Sequence, residues 1–341
     1  NFSEAIFNLG NANFFLRRFE RALHFYKQVI NLDNFHVDAY SNLGTCFKEL
    51  GDLKNATVYY KKALKLNSSH ANTLSNFAVV MIDLGNIDNA IILLNKVLNI
   101  DAKNPIYWFN IANAFKEKGD FLRSIKYLEK AVSIDNNFHK AYAELIHLRG
   151  RLCIWSTYSN DKKIASKIGI VGDTPLVHLG MLAMHDDPNS DLLRAKKFYR
   201  YFFDFQQKII SRNNKISIRL GYISANFYNH PVIQLLIRTL ELHNKSKFEL
   251  YLYSLDSNTN DNYTSRIKSI DAKFFTIDHL SNMQRLELIR SHELDLVIDL
   301  MGYTKGNNFI LFANRIAPIQ ISYLGFPGTT GSDCIDYIIA D

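Results

Sequence analysis

A period of 34 residues runs through the first half of the chain and limits what that half can become. Leu9-Gly10 recurs as Leu43-Gly44, Phe77-Ala78 and Ile111-Ala112 at that step. Two further columns keep it: Ala22, Ala56, Ala90 and Ser124, and Tyr26, Tyr60, Leu94 and Leu128. Gly51, Gly85 and Gly119 fall between apolar stretches, each followed by Asp or Asn. Each unit therefore reads as two amphipathic helices joined by a tight turn, with small residues where the helices approach. No unit can bury its apolar face alone, so neighbours must stack into a superhelical solenoid. A fifth helix over 138–149 is expected to close the stack.

The four registered copies resemble the tetratricopeptide repeat. One column is polar where the pattern is otherwise apolar: Asn8, Asn42, Asn76 and Asn110. Lying one residue before a core position, these amides fall on the first helix of each repeat, the helix that lines the concave face. They could bond an extended peptide backbone without reading its side chains, or they could only solvate the groove. Both readings stay open, and either suits a protein partner better than a small molecule.

From about residue 215 the pattern changes. Runs at 216–224, 248–255, 273–278, 294–301, 319–324 and 335–340 read as strands, with helices expected at 232–243, 263–270, 282–293 and 309–315. The stretches LDLVIDL and QISYL are almost continuously apolar, as strands covered on both faces are. Alternation of this kind predicts an open parallel sheet with right-handed crossovers, whose ligands sit beyond the carboxyl ends of the strands. The expected organisation is a repeat solenoid over 1–149, a helical linker over 150–214 and a Rossmann-like α/β lobe over 215–341. Asp186-Asp187, ahead of a proline in the linker, is expected to cap a helix around 192–202.

Three segments follow strands and attract attention. They are Ser224-Ala225-Asn226-Phe227-Tyr228-Asn229-His230-Pro231, then Gly302-Tyr303-Thr304-Lys305-Gly306, then the run from Leu324 to Gly331. Gly325, Gly328 and Gly331 would let the backbone approach a ligand. Their spacing matches neither a dinucleotide fingerprint nor a Walker loop. His230, fixed by the following proline, has the chemistry of a general base near neutral pH, and read alone it could equally be an ordinary loop histidine. There is no HExxH, no His/Cys metal spacing, no GxSxG elbow and no Asp-x-Asp pair, so neither a metal nor a serine nucleophile is expected.

Composition narrows the remaining classes. Of 341 residues, 47% are hydrophobic and 21% charged, which excludes extended disorder. No apolar run reaches the ~18–20 residues of a membrane span. The net charge of +7 and pI near 9.1 come without a dense basic run, so nucleic acid is not expected as a partner. Cys46, Cys153 and Cys334 form no CxxC and no even framework, which favours a reducing, cytoplasmic setting. The chain opens on NFSEAIFNLG, without Met and inside a helical pattern, and so reads as a fragment without a signal peptide.

Together, GYISANFYNHPV, DLMGYTKGNN, RIAPIQISYLGFPGTTG and DYIIAD resemble the cytosolic protein O-GlcNAc transferases, which carry tetratricopeptide repeats. SPINDLY-type O-fucosyltransferases share most of the pattern. The linker is similar too, at Leu152-Cys153-Ile154-Trp155-Ser156 and His185-Asp186-Asp187-Pro188. The resemblance implies the first lobe of a GT-B glycosyltransferase, a UDP-GlcNAc donor and metal-independent, inverting transfer to Ser or Thr of proteins drawn to the repeat groove. It casts His230 as proton acceptor and Leu324, Gly325, Pro327, Gly328 and Thr329 as the sugar-proximal loop. Gly302, Tyr303, Thr304 and Lys305 would line the cleft. GDP-fucose as donor, or a peptide-binding scaffold without catalysis, are the alternatives. The chain departs from the family at Arg315-Ile316, where an Arg-Pro pair is common, and neither Arg290 nor His292 takes over the family's second histidine. The family's nucleotide-binding residues lie in a second lobe, so the chain by itself is expected to be inactive.

Overall fold

The computed structural model describes residues 2–172, 175–176, 179–184, 187–203, 217–257, 261–304 and 306–340. The chain divides into two compact units, Asn1–Tyr158 and Ser159–Asp341.

The first unit is the solenoid. Its hairpins pair α1 (Phe2–Phe15) with α2 (Phe19–Leu32), α3 (Val37–Glu49) with α4 (Leu53–Leu66), α5 (Ala71–Asp83) with α6 (Ile87–Ile100), and α7 (Pro105–Glu117) with α8 (Phe121–Ile134). The expected closing helix is α9 (His139–Arg151), which packs on α8. The periodic turn has a specific geometry. Gly51, Gly85 and Gly119 take φ values of +83°, +76° and +83° just past the first helix of their repeats. At the first of them, Gly51 N–H donates to Lys48 O (2.9 Å) and Asp52 N–H to Phe47 O (2.9 Å), a Schellman closure. The Asp52 carboxylate then accepts Asn55 N–H (2.9 Å) and so caps α4. One Gly-Asp pair thus ends one helix and starts the next. In the first repeat the same place is held by Arg17 at φ +56°, the left-handed region without a glycine.

The Gly-to-Ala drift in the second repeat column is matched across the hairpin. A Cβ on Gly10 would come within 2.6 Å of the Tyr26 ring, and one on Gly44 within 2.7 Å of Tyr60. In the next two repeats the helix carries Ala78 and Ala112, and the facing side chains shrink to Leu94 and Leu128. Side-chain volume is conserved at the contact while its distribution changes, as a close-packed interface requires.

The second unit begins with α10 (Tyr158–Ala165), α11 (Leu179–Met184) and α12 (Pro188–Phe203). Asp187 caps α12, its carboxylate accepting Asn189 N–H at 3.1 Å and the Ser190 hydroxyl at 2.5 Å, so the helix starts earlier than the sequence pattern indicates. His185 and Asp186 lie outside the described residues.

The sheet then follows in strict alternation: β1 (Ile218–Ser224), α13 (Pro231–Leu242), β2 (Phe248–Ser254), α14 (Asn262–Lys268), β3 (Lys273–Thr276), α15 (Asn282–Ser291), β4 (Leu296–Asp299), α16 (Phe309–Ala313), β5 (Ile319–Tyr323) and β6 (Tyr337–Ile339). All neighbours pair in parallel, in the order β3-β2-β1-β4-β5-β6. Both faces are covered. Leu220, Leu250 and Leu252 pack with Ile233 and Leu236 of α13 on one face. Ile223, Tyr253 and Val297 pack with Ile289 of α15 and Phe312 of α16 on the other. This is a doubly wound α/β sheet, and its order reverses between β1 and β4.

Candidate active site

The reversal places the carboxyl ends of β1 and β4 side by side, with that of β5 next in line. These are the ends from which the three segments singled out in the sequence emerge. A parallel sheet opens a crevice at such a switch point because the two following connections depart to opposite faces.

His230 is the N-cap of α13, with Pro231 in the first turn, and is half-buried. Its Nδ1 accepts Val232 N–H at 3.3 Å, and its ring lies edge-on to Tyr228 at 5.7 Å. Burial holds its pKa below the usual histidine value, and the partial positive charge of a helix N-terminus pulls the same way. The ring is therefore neutral near pH 7. With Nδ1 acting as an acceptor, the proton of this neutral ring sits on Nε2.

The loop carrying His230 is held at both ends. Thr264 Oγ1 donates to Phe227 O (3.1 Å), and Asn229 N–H donates to the Asp261 carboxylate (2.6 Å), which also caps α14. At the near end, Ala225 N–H and the Asn226 amide donate to the Met301 sulfur at 3.4 and 3.3 Å.

The loop after β4 hangs from a buried acid. Asp299, 2% exposed, accepts Met301 N–H (2.9 Å) and Gly302 N–H (3.0 Å). Burial pushes its carboxyl up to about 6, against the opposing pull of those two donors. Gly302 at φ +55° fits against Phe326, where a Cβ would overlap that side chain. The Tyr303 hydroxyl donates to Thr330 O (2.7 Å), and Thr304 Oγ1 to Met301 O (2.7 Å). Both hydroxyls are thus spent inside the protein: Tyr303 ties the loop after β4 to the loop after β5, and Thr304 closes the β4 loop on itself. Lys305 lies outside the described residues.

In the loop after β5, Leu324 takes φ +61° and Pro327 is exposed. The glycines have a reason to lack a Cβ that involves no ligand. On Gly325 it would overlap the Leu300 carbonyl, and on Gly331 the backbone at Ala195 and Lys196. On Gly328 it would come within 2.9 Å of the Phe326 ring and 3.0 Å of Leu182. Pro327, Gly328 and Thr329 line a groove of about 370 Å³ with Lys196, Asp333 and Tyr337.

The Arg315-Ile316-Ala317-Pro318-Ile319-Gln320 stretch of the family resemblance proves to be scaffolding at both ends. Gln320 is fully buried, accepting Ile316 N–H (2.9 Å) and donating to Phe312 O (2.9 Å) and Cys334 O (2.7 Å). Arg315, at φ +54°, bonds Cys334 O (2.9 Å), Pro318 O (2.8 Å) and the Asp336 carboxylate (2.8 Å). Arg290 reaches the carbonyls of Asn314 and Arg315. His292 sits at the amino end of β4, its Nδ1 bonded to the Tyr253 hydroxyl (2.7 Å) beside Phe275. The sequence pattern did not single out Asp299, Met301, Asp261 or Thr264. Asp299 had left a signal, as an acid closing an apolar run three residues before a loop glycine.

The asparagine column sits on the first helix of each repeat, but its members differ. Asn8 is exposed, while Asn42 and Asn76 are half-buried. Asn42 donates to Asn11 Oδ1 (3.1 Å). Asn110 is buried and donates to Ser75 Oγ (2.9 Å). Two of the four amides therefore also staple consecutive repeats.

Fold and site define a class: a helical-repeat solenoid followed by a doubly wound α/β unit whose loops meet at the switch point. Residues 189–341 match the model of glycosyl transferase family 41, and tetratricopeptide repeat models match 3–36, 37–70, 71–104 and 106–138. The chain thus carries tetratricopeptide repeats and a glycosyl transferase family 41 segment. It is 39% identical over 124 residues, 36% of its length, to a probable UDP-N-acetylglucosamine–peptide N-acetylglucosaminyltransferase, SEC, of Arabidopsis thaliana. It is 28% identical over 211 residues, 56% of its length, to the enzyme of that activity from Caenorhabditis elegans. The matched stretches are only 13% and 18% of those relatives. A mutant O-GlcNAc transferase from Thermobaculum terrenum shares the fold, with a TM-score of 0.53 and 22% identity, over 89% of this chain and 53% of that one. No helix among the described residues is long and apolar enough to cross a membrane.

Proposed function

We propose that the chain is the acceptor-side part of a protein O-GlcNAc transferase, which moves GlcNAc from UDP-GlcNAc to Ser or Thr hydroxyls with inversion and without a metal. The observation that carries this reading is the placement of the family-41 segment's three loops at the carboxyl ends of β1, β4 and β5, beside the switch point. The solenoid groove recruits the acceptor. The half-buried amides of Asn42 and Asn76 offer its backbone hydrogen bonds, and the exposed Asn8 extends the row.

In the transfer, the acceptor oxygen bonds to the anomeric carbon as the bond from that carbon to the diphosphate breaks. The hydroxyl proton passes to His230, whose depressed pKa keeps the ring neutral and able to receive it. Nε2 can take that proton only in the other tautomer, so the long Val232 cap bond must open first. A positioned base of this kind contributes roughly 10²–10⁴-fold. The loops after β4 and β5, locked by Tyr303 and Thr330, hold the sugar for in-line attack.

The resemblance to SPINDLY-type O-fucosyltransferases keeps GDP-fucose as the alternative donor. A relative named as a probable UDP-N-acetylglucosamine–peptide N-acetylglucosaminyltransferase SPINDLY, of Petunia hybrida, is 26% identical over 149 residues, 42% of this chain. Calorimetric titration of the longest polypeptide the gene encodes with a Ser/Thr peptide, UDP-GlcNAc and GDP-fucose separates the readings. Binding of peptide together with UDP-GlcNAc supports the proposal, and preference for GDP-fucose supports the alternative. Binding of peptide with no transfer by any longer form of the protein would leave a recognition scaffold.

A further inference from the structure

Met301 lies at the start of the loop after β4 and is 1% exposed, yet its sulfur faces three donors. The Ser224 hydroxyl reaches it at 3.5 Å, Ala225 N–H at 3.4 Å and the Asn226 amide at 3.3 Å. All three belong to the end of β1 and the loop that leads to His230. Core methionines ordinarily fill apolar gaps. Here the thioether instead receives donors from a half-buried turn. Its own backbone is fixed from below, because Met301 N–H and Gly302 N–H both donate to Asp299.

We propose that the Met301 thioether is a positioning group, tying the loop that carries His230 to the loop after β4 so that the two sides of the switch point are held as one body. The chemistry suits the place. A thioether sulfur is a weak acceptor, and here it lies within reach of three donors from the facing loop. The far end of the same loop is held by Asp261 and Thr264, which leaves Met301 as the anchor on the β4 side. The bearing of this tether on catalysis rests on the transferase reading. The tether itself does not, because it can be read without donor or acceptor.

The test is amide hydrogen exchange at Ala225, together with the ring resonances of His230, in the wild type, Met301→Leu and Met301→Gln. Leucine keeps the volume and removes the acceptor, whereas glutamine returns an acceptor. The expected result is exchange at Ala225 faster by about five- to ten-fold in the leucine variant, from the loss of its bond to the sulfur. The His230 resonances shift, the β2 amides stay unchanged, and glutamine restores protection to within about threefold. Equal protection of Ala225 in wild type and Met301→Leu overturns the proposal, as does failure of glutamine to restore it. Acceleration of β2 by the same factor also overturns it, since Met301 would then be ordinary core. If the leucine variant does not fold, a folded Met301→Gln with Ala225 protected supports the tether, and an unfolded one refutes it. A tether that stands while no transfer is found would remove only the catalytic reading.

Discussion

Replacing Asp299 with asparagine tests whether burial or hydrogen bonding governs the acid beneath the cleft loops. The carboxyl has an ordinary value of 3.8 and is pushed up to about 6 in the fold, because removal from water outweighs the two N–H donors. Its folded-state pKa thus exceeds its unfolded one, so the native state keeps the proton over a window in which the unfolded chain has lost it. The group's favourable contribution is complete below 3.8 and disappears as pH rises through about 6. About two units at ~1.4 kcal/mol each set the change at roughly 3 kcal/mol. The amide introduced by Asp299→Asn would not titrate. It would satisfy one of the two N–H groups and leave the other facing its own NH₂, a pH-independent cost of about 1–3 kcal/mol. The stability of wild type minus Asp299→Asn should therefore fall by up to ~3 kcal/mol between about pH 4 and pH 8. Native-state hydrogen exchange at β1 and β4 amides reads it, and the subtraction removes every other titration. A difference that stays flat, or one that grows with pH, would refute the reasoning, the latter because the two donors would then dominate.

Gly44→Ala should cost about 1–3 kcal/mol by pressing on Tyr60, and Tyr60→Leu a similar amount through the cavity it leaves. The double variant copies the Ala/Leu pairing of the later repeats, so in urea unfolding it should recover at least about 1 kcal/mol of the summed losses; simple additivity would contradict the volume argument. His230→Ala should lose both the helix cap, worth about 1 kcal/mol, and transfer, whereas His230→Asn should restore only the cap. Full turnover by the His230→Asn variant would reduce His230 to a structural role. Asn110→Ala should lower solenoid stability by about 1 kcal/mol through its lost bond to Ser75, whereas Asn76→Ala should weaken peptide binding with stability unchanged. Identical effects of the two on both readouts would dissolve the distinction.

Much of the architecture was legible because it rests on periodicity. All six strands and the four helices between them fall where alternation places them, with ends shifted by a few residues. The repeat turns were visible because a left-handed position selects glycine, and Arg17 shows that the selection is not absolute. The site was legible as loops but not as contacts. No spacing rule says that Tyr303 turns its hydroxyl into the protein or that Gly325 clears the Leu300 carbonyl, since those facts depend on residues from neighbouring strands. Met301 escaped for the same reason. Its sequence neighbourhood marks it as core, and only the adjacency of β1 and β4 supplies its donors. The split in the asparagine column was equally hidden, because Ser75 and Asn11 meet it from the preceding repeat.

The central claim is that these loops serve transfer of GlcNAc to protein hydroxyls. The direct measurement is incorporation of sugar into a Ser/Thr peptide by the longest polypeptide the gene encodes, with UDP-GlcNAc and GDP-fucose supplied in competition and the product mass recorded. The expected product carries the mass of added GlcNAc, and His230→Ala abolishes it. Addition of fucose, or no addition from either donor, would contradict it.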